Sequence, residues 1–87
     1  MGKKNLTPYV DIIVPNYNKG KYLKEAINSV INQTYKRWKL YIVDDNSIDD
    51  SKYYLQKYKK NKNIKIFFLN KNCGPSFCRN FGISKSR

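Results

Sequence analysis

The chain predicts an α/β fold in which strands and helices alternate around a parallel sheet. Three observations carry that expectation. Apolar, β-rich runs recur at residues 9–14, 38–43 and 64–69. The segments between them place apolar residues at helical spacing. Finally, two of the runs end alike: Ile12-Ile13-Val14 passes into Pro15-Asn16-Tyr17-Asn18, and Tyr41-Ile42-Val43 passes into Asp44-Asp45-Asn46-Ser47.

Each element has a local reason. Residues 9–14 form the first strand, and Pro15 removes a backbone donor where that strand is expected to stop. Asn18 is placed to cap the next helix, whose apolar face is Leu23, Ala26, Ile27, Val30 and Ile31. Gln33-Thr34-Tyr35 breaks the pattern before the second strand, 38–43. Ser47 followed by Asp50 fits a capping box in its Asp form, which predicts a helix over 48–60 with Tyr54, Leu55 and Tyr58 inward. Asn61-Lys62-Asn63 ends it. The third strand, 64–69, leads through Asn70-Lys71-Asn72-Cys73-Gly74 to a last helix opened by Pro75, whose missing N–H is harmless in a first turn. That helix is expected to turn Phe77, Cys78, Phe81 and Ile83 inward.

Parallel strands joined by helices cross over right-handedly, which sets the strand order 3-2-1. The expectation is a Rossmann-like βαβαβα half-domain in three layers, one unit over residues 1–87 without repeat or linker. Ligands of such sheets bind outside the carboxyl ends of the strands. The two polar clusters should therefore line one site.

Composition narrows the function classes. No apolar run approaches the roughly 20 residues that span a bilayer, and Met1-Gly2-Lys3-Lys4-Asn5 is basic but leads into no signal-peptide core. A cytoplasmic protein is expected. Cys73 and Cys78, in a C-x4-C spacing, make neither a disulfide framework nor a zinc signature and read as unpaired thiols. The net charge of +12 invites a nucleic-acid reading, yet lysines are spread from Lys3 to Lys85, with a local run at Lys57, Lys59, Lys60 and Lys62. Arginine, the better base-reader, occurs only at Arg37, Arg79 and Arg87. This spread suits solvated faces first and an anionic membrane surface second. Four of the six acidic residues, Asp44, Asp45, Asp49 and Asp50, crowd the mouth of the second strand, where a phosphodiester backbone would be repelled.

Four segments together resemble a known family. They are Asp11-Ile12-Ile13-Val14-Pro15-Asn16-Tyr17-Asn18, Ser29-Val30-Ile31-Asn32-Gln33-Thr34-Tyr35, Val43-Asp44-Asp45-Asn46-Ser47-Ile48-Asp49, and Asn72-Cys73-Gly74-Pro75-Ser76-Phe77-Cys78-Arg79-Asn80-Phe81-Gly82-Ile83. In this order and spacing they look like the amino-terminal half of a family 2 glycosyltransferase with the GT-A fold. The resemblance runs from Tyr9 to Ile83. It departs at Asn46, where the family often has Gly, and at Cys78, where it often has Ala. Asn also accepts left-handed turn geometry, and Cys is a small hydrophobe.

The resemblance implies an inverting enzyme of polysaccharide or surface-glycan synthesis that passes a sugar from a nucleotide-diphosphate donor to an acceptor hydroxyl. Asp44 matches the position whose carboxylate accepts the N3–H of uracil. Guanine also offers N–H groups, so the base stays open among uridine, guanosine and thymidine, with a UDP-sugar favoured. Pro15, Asn16 and Tyr17 match the first nucleotide-binding loop, Tyr17 offering a ring and Asn16 both donor and acceptor. Asp45 is expected beside the ribose or orienting the loop. Gly74 allows close backbone approach, while Arg79 either faces the nucleotide or makes a surface ion pair. Ser47, Asp49 and Asp50 are assigned to helix capping.

The family holds its donor diphosphate through Mg2+ or Mn2+ on a carboxylate motif after a fourth strand, and takes the acceptor proton with a later carboxylate. The resemblance matches neither to a residue of this chain. Asp44 and Asp45 do not make the metal motif, because adjacent residues on an extended segment point opposite ways. Binding of the base without transfer is therefore expected of these 87 residues alone, with an open edge on the first strand that favours self-pairing or a partner. Two rival readings remain. One is a small basic module for RNA or an anionic membrane; the other is a non-enzymatic Rossmann-like nucleotide binder, which would lack a glycine between Gly20 and Gly74 to cradle phosphate.

Overall fold

The computed structural model describes residues 9–86. The basic stretch Met1-Gly2-Lys3-Lys4-Asn5 lies outside them. The order is β1 (Val10–Asn16), α1 (Gly20–Asn32), β2 (Trp38–Asp44), α2 (Ser51–Gln56), β3 (Ile64–Phe68) and α3 (Pro75–Ser86). β2 pairs in parallel with β1 on one side and β3 on the other, which is the expected 3-2-1 order. Near-continuous burial suits β2 for the centre, since a parallel strand covered on both faces must be apolar throughout.

Side-chain alternation divides the core into two layers. Ile12, Val14, Leu40, Ile42, Ile64 and Ile66 belong to one, packed with Leu23 and Ile27 of α1, with Leu55 of α2 and with Tyr58 just beyond it. On the opposite face α3 lies against β1 and β2. Gly82 is the point of closest approach there: a Cβ on it would stand 2.5 Å from Ile13 Cγ2 and 3.4 Å from Val43 Cγ2.

Several boundaries differ from expectation, each for a physical reason. β1 continues through Pro15 to Asn16. Val10 N–H donates to Arg37 O and Asn16 O accepts from Asp45 N–H, so alternate residues of β1 from Val10 to Asn16 bond to β2. Pro15 falls between them, and its missing donor lies on the unpaired side, where proline is tolerated. Asn18 does not cap α1. It adopts a left-handed φ of +53°, and Lys19 occupies the N-cap without a side-chain hydrogen bond. Nor does Ser47 cap α2: Asp49 takes the Ser51 N–H at 2.9 Å, and the helix starts only there. Asp50 holds the N-cap position but makes no side-chain capping bond. Beyond Gln56 the backbone tightens, with Tyr58, Lys59 and Asn61 each donating to the carbonyl three residues back. On α3, Cys78 and Gly82 are buried, whereas Phe77 is exposed and stacks on Phe81 along the helix surface. Ala26 of α1 is likewise exposed.

Candidate functional site

The site grows from the register of β1 and β2, which sets Asn16 beside Asp44 at the carboxyl ends of the strands. Asn16 Nδ2 donates to Asp44 Oδ1 at 2.9 Å and to Ser47 Oγ at 3.3 Å. Ser47 donates its hydroxyl to Asp44 Oδ1 at 2.7 Å and its N–H to Asp44 Oδ2 at 3.0 Å. Both Asp44 oxygens are thus engaged, and the residue is 0% exposed. A buried carboxylate must be paired in this way, because an unpaired one carries the full cost of desolvation.

Asp45 turns the other way, as the next residue on an extended segment does. Its Oδ1 accepts the Cys73 N–H at 2.7 Å and its Oδ2 the Gly74 N–H at 3.0 Å. Asn72 Nδ2 reaches the Asp45 backbone oxygen at 2.6 Å. One residue therefore pins the whole loop between β3 and α3 to the end of β2. The two successive N–H groups converge because Gly74 adopts φ +93°, a conformation that glycine reaches without strain. Burial raises the Asp45 pKa, but the two N–H donors and the Cys78 thiol outweigh it and hold the carboxyl below the usual range. The Cys78 thiol is pushed up to about 11 by burial and then by the Asp45 charge. At neutral pH a carboxylate and a protonated thiol therefore face each other.

A cleft of about 680 Å³ opens above this arrangement. Pro15, Asn16 and Tyr17 form one wall, and Asn72, Cys73, Gly74 and Pro75 another, with Lys19, Asp45 and Cys78 completing the lining. Its volume falls in the range of about 300–1,000 Å³ usual for small-molecule sites. Tyr17, 45% exposed, leaves a ring face free for stacking.

Five of the residues singled out from sequence, Pro15, Asn16, Tyr17, Asp45 and Gly74, meet in this lining. Two do not. Asp44 lies beneath the cleft, fully buried with its oxygens on Asn16 and Ser47, and the carboxylate that reaches the lining is the neighbouring Asp45. Arg79 is exposed on α3, rotated by about 100° from the buried Cys78 that precedes it. Sequence reasoning missed Lys19, Asn72, Cys73, Pro75 and Cys78 as lining residues. Adjacency to Tyr17 could have flagged Lys19, and adjacency to Gly74 the loop. Cys78 gave no signal beyond a small apolar residue on a helix.

Among the described residues no group of three or more His, Cys, Asp or Glu could hold a metal ion. The adjacent pair Asp44-Asp45 does not fit a divalent ion either, since the two carboxylates point apart and accept hydrogen bonds from separate partners.

A three-stranded parallel α/β layer with a cleft at its strand ends defines the class of sheet proteins that take ligands at that edge. Within that class the chain belongs to glycosyltransferase family 2: the family model described as Glycosyl transferase family 2 matches residues 11–87. It is 33% identical over 84 residues to the glycosyltransferase TuaG of Bacillus subtilis, covering 95% of this chain and 33% of TuaG. It is 36% identical over 81 residues to a GalNAc(5)-diNAcBac-PP-undecaprenol beta-1,3-glucosyltransferase of Campylobacter jejuni, covering 91% of this chain and 26% of that protein. Among solved structures, S. aureus TarS 1-349 in complex with UDP-GlcNAc superposes with a TM-score of 0.82 at 31% identity, over 93% of this chain and 24% of TarS 1-349. The Pyrobaculum calidifontis mannosyltransferase PcManGT, in complex with GDP-Man and Mn2+, shares the fold with a TM-score of 0.81 at 19% identity, over 92% of this chain and 25% of its own. The fold is that of the GT-A glycosyltransferases, and the chain spans a third or less of the length of these curated relatives, 33% of TuaG and 26% of the Campylobacter protein.

Proposed function

We propose that these residues form the nucleotide-holding part of an inverting glycosyltransferase that uses a nucleotide-diphosphate sugar. The observation that carries this reading is the cleft at the strand ends, where the open ring of Tyr17 and the ionised carboxylate of Asp45 face one space. A nucleobase supplies what such a pair recognises: a flat face for the ring and a ring N–H for the carboxylate. Lys19 adds a donor on the same lining, which suits the carbonyl oxygens flanking the N3–H of uracil. The UDP-GlcNAc complex of the 31% identical TarS supports a UDP-sugar over a GDP-sugar. No described residue is assigned to the acceptor hydroxyl, to its deprotonation or to Mg2+ or Mn2+ on the diphosphate.

Titration of the chain with UDP, GDP and dTDP, followed by amide NMR shifts, tests the reading. UDP is expected to move Tyr17, Asp45, Cys73 and Gly74 in a saturable way, with GDP and dTDP weaker. Absence of a saturable response to all three would overturn the reading. Sugar release from UDP-GlcNAc by the 87 residues alone would overturn the division of labour between binding and transfer.

A further inference from the structure

Tyr17 sits between two residues that are both fastened to a different loop. On one side, Asn16 bonds to Asp44 and Ser47. On the other, Asn18 donates its N–H to Ser47 Oγ at 2.9 Å, and its Oδ1 accepts the N–H groups of Ile48 and Asp49 at 2.8 and 3.2 Å. Asp49 reciprocates. Its Oδ2 accepts the N–H of Gly20 at 3.0 Å, while Oδ1 holds the N–H and hydroxyl of Ser51. One carboxylate therefore serves the first turns of α1 and α2 together, and α1 receives from the neighbouring loop the cap that Lys19 does not provide.

We infer that Asn18 and Asp49 are positioning residues for the nucleotide cleft, clamping the β1–α1 loop to the β2–α2 loop so that Tyr17 and Lys19 present a preformed wall. Neither lines the 680 Å³ cleft. Both lie around its neighbour, a cavity of about 310 Å³ shared with Lys19, Gly20 and Tyr54. The left-handed conformation of Asn18 fits this role, because it turns Oδ1 toward the second loop at a φ that side chains rarely adopt. The body of α1 is held independently by Leu23 and Ile27 in the core. Loss of the clamp thus loosens Tyr17 and Lys19 while leaving the sheet intact. The inference rests on the nucleotide reading above and deepens it: affinity is set partly by groups that never touch the ligand, through the ordering cost they remove in advance.

The test compares Asn18→Gly, which tolerates the backbone angle but lacks the acceptor, with Asn18→Asp, which keeps an acceptor oxygen. UDP affinity, amide order parameters at Tyr17 and Lys19, and the urea midpoint are measured for each. Asn18→Gly is expected to weaken UDP binding about tenfold, on the scale of one to two lost hydrogen bonds. It should lower amide order at Tyr17 and Lys19 and leave the population folded, whereas Asn18→Asp restores both affinity and order. Should Asn18→Gly fail to fold, Asp49→Asn carries the same comparison. A UDP affinity unchanged in the glycine variant, or one lost only in step with the unfolded fraction and not regained by Asn18→Asp, overturns the clamp. A native chain that binds none of the three nucleotides overturns the functional reading instead, and the amide order at Tyr17 then decides alone whether the loops are clamped.

Discussion

Replacing Asp45 and Asp44 one at a time by Asn separates two carboxylates that sit side by side in sequence and do different work. In Asp45→Asn, an NH2 group takes the place of one oxygen that now faces the N–H of Cys73 or Gly74. That donor is left unpaired, and the charge that suits a nucleobase N–H is gone. A hydrogen bond to a charged group contributes about 1.5–3 kcal/mol, which corresponds to roughly 10- to 150-fold in affinity. Asp44→Asn breaks different bonds. Its oxygens serve Asn16 and Ser47, fully buried, so the variant strands a donor in the floor of the cleft. A loss of about 1–3 kcal/mol of global stability is expected, the cost of one unsatisfied buried group. Calorimetric UDP titration and urea unfolding, run on both variants, read the two effects apart. Both variants should lose midpoint, but Asp45→Asn should also lose UDP affinity in its folded fraction, whereas Asp44→Asn should keep near-native affinity there. The opposite pattern, a stable Asp44→Asn that no longer binds UDP beside an Asp45→Asn that still does, would refute the assignment.

Gly82→Val should lower the urea midpoint, because its Cβ would enter the space of Ile13 and overpacking of this kind costs about 1–3 kcal/mol; an unchanged midpoint would show that α3 and β1 are not in close contact. Acid should destabilise the fold through Asp45 and Asp49, whose pKa values lie below the ordinary carboxylate value in the folded chain. For Asp49, desolvation raises the value, and the Ser51 hydroxyl and the N–H groups of Gly20 and Ser51 more than offset it. Groups depressed in this way contribute stability that is present above their unfolded pKa of about 4 and is lost as pH falls through the folded value. Urea midpoints should accordingly hold from neutral pH to about 5 and fall below about 4, with a shallower fall in Asp49→Asn. Iodoacetamide should modify Cys73 well before Cys78, since Cys78 is 0% exposed with its thiol raised to about 11. Saturating UDP should slow the Cys73 reaction, because Cys73 lines the cleft, and equal rates with and without UDP would place the nucleotide elsewhere.

The strands were legible because their signal is local. The run Leu40, Tyr41, Ile42 and Val43 reads as a strand from its apolar, β-rich composition, and Leu40, Ile42 and Val43 are wholly buried. The strand order followed from crossover handedness, and the shared location of the two polar clusters followed from the strand directions. What failed were the readings that depended on a partner distant in sequence. Asn18 looked like a helix cap because an Asn before an apolar face is usually one, yet its acceptor was claimed by Ile48 and Asp49, some thirty positions away. Ser47 followed by Asp50 matched a local capping pattern, whereas the Ser47 hydroxyl is spent on Asp44 and on the first loop.

From the sequence by itself came the α/β alternation, the parallel order, the site at the strand ends and the likeness to a glycosyltransferase family, all of which depend on periodicity or on motifs in fixed succession. Tertiary structure alone decided which carboxylate lines the cleft. Asp44 and Asp45 are chemically identical neighbours, and alternation along an extended strand sends them to opposite sides without saying which side is which. Pairing with Asn16 and Ser47 drew Asp44 into the floor, and the N–H groups of Cys73 and Gly74 fixed Asp45 at the cleft.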